Sequence, residues 1–225
     1  MAKTEDLLVV LLDFWISPFC QRVKIALAEK GIAYEIQEEK NPIGPKSDLL
    51  LKSNPIYQKV PVLFYKGKPI IESTNIVYFI EDNWPSSPPL MPSCAYQRSQ
   101  ARFWADFIDK RVFEDGGKIW KSKGSEAEDA KKNLIDTLKK LEGGLEERDY
   151  FGGDKFGLVD IIIIPMTPWF LAYEKYCGFK VEEEAPKFGA WIKRCMVRET
   201  VAKALPDLQK VHEYLAMLRK MHGLD

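Results

Sequence analysis

The sequence predicts two units, an α/β unit built on a four-stranded mixed sheet followed by an all-helical unit. Three observations carry this. Short apolar runs alternate with short amphipathic ones up to about residue 84, four prolines crowd the stretch "PSSPPLMPS" at 85–93, and every apolar repeat beyond it has helical spacing. Prolines remove amide donors, so no helix continues through that stretch. The expected division is 1–84, a linker at 85–95, and 96–225.

In the first unit "LLVVLLDFW" reads as a buried strand, and 18–30 as a helix whose cap is Ser17 and whose first residue is Pro18. "YEIQEE" gives a second strand and 46–53 a short helix. "VPVLFYKGKPIIES" gives two more strands around the turn dipeptide Lys66-Gly67, and "TNIVYFIEDNW" a helix with Ile76, Phe79 and Ile80 on one side. In the second unit Leu134, Leu138, Leu141 and Leu145 form one dry helical face, and Leu208, Val211, Leu215 and Leu218 another. "VDIIIIPMTPWFLAY" is apolar all round, which predicts a central buried helix bent or interrupted at Pro165 and Pro168. Gly116-Gly117 and "KSKGSEAED" read as loops or helix breaks.

Composition excludes several classes of function. The 225 residues carry 33 Lys plus Arg against 33 Asp plus Glu, so nothing favours nucleic acid or an anionic membrane as partner. The N-terminus has no basic segment leading into an apolar stretch, and the apolar runs fall far short of the ~18 residues of a membrane span. A soluble cytoplasmic protein is expected. Four scattered cysteines and two histidines, His212 and His222, have neither disulfide nor metal spacing, so no metal is expected.

The chemistry starts at "FWISPFCQRVKIAL". Cys20 lies three places after Ser17, where a CxxC protein has its leading thiol, so a hydroxyl occupies the position of a nucleophile. Ser17 can simply cap the helix. It also sits where a strand-to-helix turn aims amides and the positive helix end at one spot, a place that favours an anion such as a thiolate. Val60-Pro61 enters the third strand: a trans proline at a strand's first residue is one reading, and a cis bond that leaves Val60's backbone open to an extended ligand is the other. At "ESTNI" a strand gives way to a helix, where Glu72 can take an ammonium and Ser73 with the first amides a carboxylate, or Ser73 can be a cap.

These pieces, in the forms "SPFCQRV", "NPIYQKVPVL", "ESTNIVYFIED", "ARFWADFIDK" and "FGLVDI", resemble the cytosolic glutathione transferases, and the plant tau class in particular, nearly end to end. The resemblance implies a thioredoxin-like N-terminal domain that binds glutathione, an all-α C-terminal domain that holds an electrophile, and a homodimer. It implies no cofactor, glutathione being a cosubstrate. By match to the family, Ser17 is the catalytic hydroxyl, Lys46 and Lys59 are the cations near the glycyl carboxylate, and the Val60 backbone pairs with the cysteinyl unit. Glu72 and Ser73 hold the γ-glutamyl end. Phe19, Phe113, Trp120, Trp169, Tyr214 and Leu218 are the electrophile-pocket residues by the same match.

The chain departs from the family pattern in two places. "EEKNPIGPKSD" is about two residues longer than usual before Lys46, and Gly157 takes the cap position of "GLVD", where Asp160 can still bond back. The activity implied is conjugation of the glutathione thiolate to hydrophobic electrophiles in detoxification or stress response, with glutathione-dependent hydroperoxide reduction beside it. A serine cannot form the mixed disulfide that a leading cysteine would, so its part is a hydrogen bond to the bound sulfur. Two other functions compete: a ligandin-type carrier of aromatic metabolites that performs no chemistry, and a thiol reductase working through Cys20.

Overall fold

The computed structural model describes residues 8–40 and 43–224. Leu7, at the start of the expected first strand, and Asn41-Pro42 of the "EEKNPIGPKSD" segment lie outside them. The chain divides into two compact units between Leu90 and Met91. The division falls inside the proline-rich stretch, but Leu90 and Met91 are themselves buried, and the Leu90 amide donates to Glu81 Oε2 at 2.9 Å.

The first unit runs β1 (Val9–Asp13), α1 (Pro18–Glu29), β2 (Glu35–Glu38), α2 (Asp48–Ser53), β3 (Val62–Tyr65), β4 (Lys68–Ile71) and α3 (Ser73–Asn83). The strands form one sheet in the order β2-β1-β3-β4, parallel between β1 and β2 and antiparallel elsewhere. This is the mixed sheet the alternation predicts. Both edges are protected in the usual ways: β2 is exposed and carries glutamates, and β4 holds Pro69, which only an edge strand tolerates. Lys66 and Gly67 both have positive φ, 49° and 74°, as a type I′ hairpin turn requires.

One sheet face packs Leu12 and Val62 against Leu50 of α2, with Phe64 and Ile71 at the margin. Val9, Leu11 and Leu63, on the other face, are buried as completely, and α1 packs against α3. In α3 the fully buried residues are Ile76, Val77 and Ile80. Phe79, expected with them, instead stands edge-on to Tyr65 and Trp84, in a ring cluster at the flank of the core.

In the second unit α4 (Ala95–Phe107) passes through a π-helical turn at Ile108–Val112 into α5 (Phe113–Lys121), and α6 (Ser125–Leu145) follows after Gly124. Gly116-Gly117 does not break the chain but lies inside α5. A Cβ at Gly116 would come within 2.9 Å of the Tyr173 ring, so the glycine serves close packing rather than a turn. The four leucines of α6 are all buried.

The apolar run is not one helix. It divides into α7 (Leu158–Ile163), a 3₁₀ turn at Ile164–Met166 and α8 (Thr167–Cys177), with Pro165 inside the 3₁₀ turn and Pro168 in the first turn of α8. Those are the positions where a missing amide costs least. Short α9 (Val181–Glu184), α10 (Pro186–Met196), α11 (Glu199–Ala204) and α12 (Leu208–Met221) complete the unit. Val211, Leu215 and Leu218 of α12 face inward, whereas Leu208, expected in the same stripe, is 38% exposed in the first turn.

Candidate active site

Strand register brings the distant motifs of the first unit to one end of the sheet. Asp13 ends β1 and leads to Ser17, while Val62, paired with Leu12, begins β3, so Val60-Pro61 sits at the same end. Ile71 pairs with Val62, so Glu72 and Ser73 leave β4 there too, and Glu38, paired with Asp13, starts the path to Lys46. Four segments far apart in sequence therefore emerge together. Loops at the carboxyl end of a central strand are where α/β sheets bind ligands.

Ser17 is the N-cap of α1, with extended backbone, and Pro18 is the first helical residue. Its Oγ accepts from the Cys20 amide at 3.4 Å, a long bond. Capping uses a lone pair only. The hydroxyl keeps a proton of its own to donate, so capping and hydrogen bonding to a thiol, here the Cys20 side chain, are compatible in one side chain.

Cys20 is fully buried, its sulfur accepting from the Phe14 amide at 3.4 Å. Burial, and then the nearby Asp13 charge, push its thiol up to about 12. It stays protonated at neutral pH, which removes the chemical basis of a reductase. In the folded protein a disulfide reagent should modify exposed Cys94 and leave Cys20 untouched until denaturant is added. Mass spectrometry of the labelled protein checks this, and equal labelling of both would refute it.

Val60 and Pro61 are joined by a cis peptide bond, and Val60's own amide and carbonyl enter no backbone hydrogen bond among the described residues. Asn54 Nδ2 holds the Lys59 carbonyl at 2.9 Å and so fixes the approach to this segment. Lys59 itself is exposed and Lys46 half-buried.

Glu72 has φ of 67° and caps α3 through its backbone, its exposed side chain making no cap bond. Ser73 is therefore not the cap but the first helical residue. It is buried, and Arg22 Nη1 donates to its Oγ at 3.1 Å. Sequence reasoning misses Arg22. It is 2% exposed, reaches Thr74 Oγ1 at 3.5 Å, and lies over the half-buried Phe19 ring at 4.8 Å. A buried guanidinium at the root of α3 adds positive potential to that of two helix N-termini. The one sequence signal is a charge on an otherwise dry face of α1, beside Val23, Ile25 and Ala26.

The remaining candidates lie in the helical unit. Trp169 of α8 stands edge-to-face with Tyr214 of α12, and Trp120 of α5 with His222. Trp169 and Leu218 are buried, Trp120 and Tyr214 half-buried, and Phe113 is 47% exposed.

Comparison with known proteins agrees with this architecture. The family model described as Glutathione S-transferase, N-terminal domain matches residues 16–83, and the C-terminal domain model matches 99–199. A probable glutathione S-transferase parC of Nicotiana tabacum is 54% identical over the whole of both chains. Glutathione S-transferase U19 of Arabidopsis thaliana is 50% identical over 94% of this chain and 96% of its own. Among solved structures, rice GST1 in complex with glutathione superposes with a TM-score of 0.92 at 42% identity, covering 97% of this chain and 99% of its own. The Tau class glutathione S-transferase from mango, Mangifera indica, gives 0.89 at 34%, covering 96% of this chain and all of its own. With both domains matched in order and relatives alike over their full length, the chain belongs to the glutathione S-transferase family, and within it to the plant tau class.

Proposed function

We propose that the chain transfers glutathione to hydrophobic electrophiles, with Ser17 donating a hydrogen bond that stabilises the glutathione thiolate. The observation that carries this reading is the position of the Ser17 hydroxyl, at the N-terminus of twelve-residue α1 on the loop side of the sheet. The nucleophile belongs to the cosubstrate. The protein ionises it and aims it, so the contribution is acid-base tuning plus proximity, not a covalent enzyme intermediate. Val60's open backbone suits the cysteinyl unit, Glu72 the γ-glutamyl ammonium and Ser73 its carboxylate, with Lys46 and Lys59 toward the glycyl carboxylate. Trp120, Trp169, Tyr214 and Leu218, with Phe113, are assigned to the electrophile.

The same thiolate reduces organic hydroperoxides in this reading. Attack on the peroxide oxygen releases the alcohol, and a second glutathione then takes the oxidised sulfur to the disulfide with loss of water. A homodimer is part of the proposal, supported by large apolar side chains open on the single chain: Ile56 and Tyr57 in the first unit, Tyr96 and Phe103 in the second. A cytoplasmic location is supported by four free cysteines and by the lack, among the described residues, of a helix long and apolar enough to cross a membrane.

The deciding experiment is a pH titration of bound glutathione, followed by thiolate absorbance in the ultraviolet. A free thiol titrates near 8.5, and a drop of about 2 units raises the thiolate at pH 7 from roughly 3% to roughly 75%. A bound pKa near 6.5 is expected. Tight binding with an unshifted thiol would replace the transferase by a carrier.

A further inference from the structure

Strand β2 ends in a contrast. Glu35, Ile36, Gln37 and Glu38 are all exposed, while the next residue, Glu39, is 2% exposed. Burying an acidic side chain is costly unless its oxygens are bonded, so a glutamate sealed at the end of a wet strand has a partner to account for it. Ser47 is such a partner. Eight residues further on, its Oγ donates to Glu39 Oε2 at 2.5 Å.

Both residues are anchored from their other sides. The Glu39 amide donates to the carbonyl of Asp13 at 2.7 Å, which fastens Glu39 to the end of β1, on the path to Ser17. The Ser47 hydroxyl that donates to Glu39 also accepts from the Leu50 amide at 3.1 Å, and Leu50 packs on Leu12 and Val62 in the core. Donating and accepting at one oxygen polarises the hydroxyl and strengthens both bonds. The return point of the segment between β2 and α2 is thereby tied to the sheet end where Ser17 and Val60 emerge. Lys46, the residue before Ser47, is half-buried there. An ammonium on a flexible four-carbon stem makes no rigid fork of its own, so where it acts depends on where its backbone is held.

We infer that Glu39 is a positioning residue for glutathione, which through its bond to Ser47 holds Lys46 in place for the glycyl carboxylate. The inference rests on the assignment of Lys46 to that carboxylate and deepens it. A residue acting this way governs how strongly the protein prefers a charged glycine end, and leaves its hold on the cysteinyl and γ-glutamyl units alone. A residue that merely keeps the segment folded would weaken all three together.

The test is calorimetric binding of glutathione and of glutathione amide, in which the glycyl carboxylate is a neutral carboxamide, so no turnover is needed. Glu39→Leu keeps an apolar body of similar length and removes the acceptor. The preference for glutathione over the amide should fall about fivefold in this variant, the size of a lost ion pair that is not deeply buried. Glu39→Gln retains an oxygen that accepts from Ser47 and should keep most of the preference. Ser47→Gly cuts the same bond from its exposed end with the mildest loss of a helix cap, and should match Glu39→Leu even where that variant is unstable. An unchanged preference in Glu39→Leu and Ser47→Gly, or equal weakening of both ligands, overturns the inference. So does a Glu39→Gln as poor as Glu39→Leu, which would make the charge and not the bond the cause. Lys46→Ala run alongside separates the two levels: if it abolishes the preference while Glu39→Leu keeps it, the inference alone fails. If Lys46→Ala keeps the preference, or the wild type has none, the assignment of Lys46 fails and takes the inference with it.

Discussion

Ser17→Ala should lower kcat/KM for conjugation at pH 7 by up to about 25-fold, the ratio of roughly 75% to roughly 3% thiolate that follows from losing the whole of a shift of about 2 units. The loss should depend on pH. At pH 9 a thiol of pKa about 8.5 is already mostly ionised, so the gap between variant and wild type narrows to about twofold or less. The protein itself should stay folded, because removing a helix cap costs about 1 kcal/mol and the Ser17 cap bond is long. Parallel rate profiles from pH 6 to 9, with a thermal melt of each protein, check all three statements. A pH-independent loss would mean that Ser17 positions glutathione without ionising it, and an unchanged rate would remove it from catalysis.

Asp160→Ala should prevent stable folding of the helical unit. Asp160 is wholly buried, and its carboxylate accepts from three buried donors: Trp191 Nε1 at 2.8 Å, the Phe151 amide at 3.1 Å and the Gly157 amide at 3.0 Å. The Gly157 bond is the one-sided remnant of a capping box, since glycine has no side chain with which to reciprocate. Alanine leaves all three donors unpaired at roughly 1–3 kcal/mol each, comparable with the ~5–15 kcal/mol that holds a typical protein folded. Urea denaturation followed by circular dichroism should show a lost or strongly lowered transition. A variant within about 1 kcal/mol of wild type would show that these donors find other partners.

Asp160→Asn, which keeps one acceptor oxygen, should fall between the two. Burial, opposed by the bonds from Trp191, Phe151 and Gly157, raises the Asp160 carboxyl to about 6. With an unfolded value near 3.9, the folded state binds the proton more tightly, so this group's contribution is full below about pH 4 and is lost as pH rises through about 6. The advantage of wild type over Asp160→Asn should therefore shrink across that window.

Elements with a strong local signal are legible in the sequence. The leucines of α6 repeat at helical spacing and are dry, and Lys66-Gly67 takes the positive φ values its turn needs. Phe79 and Leu208 show where periodicity falls short, because the edge of a stripe is dry only if a neighbour covers it. Gly116 reads as a break and is a contact, since the Tyr173 ring it accommodates lies 57 residues away in sequence.

The candidate site follows the same division. Ser17-Pro18 at a helix start, Glu72-Ser73 after a strand and a proline entering β3 are readable as residue types in local settings. Their assembly is not, because it depends on strand register: Leu12 opposite Val62, and Val62 opposite Ile71. Nor is Arg22, whose hydrogen bond to Ser73 spans 51 residues and turns an ordinary helix arginine into a buried source of positive potential.

By itself the sequence determined the order of elements, the α/β-then-helical organisation and the hydroxyl that stands in place of a thiol, because each is written in neighbours a few residues apart. Only the tertiary structure decided that Cys20 is sealed, that Arg22 is buried against Ser73 and that the buried Trp169 N–H finds no partner among the described residues. Burial and hydrogen-bond satisfaction are properties of what surrounds a side chain, and those surroundings come from distant parts of the chain.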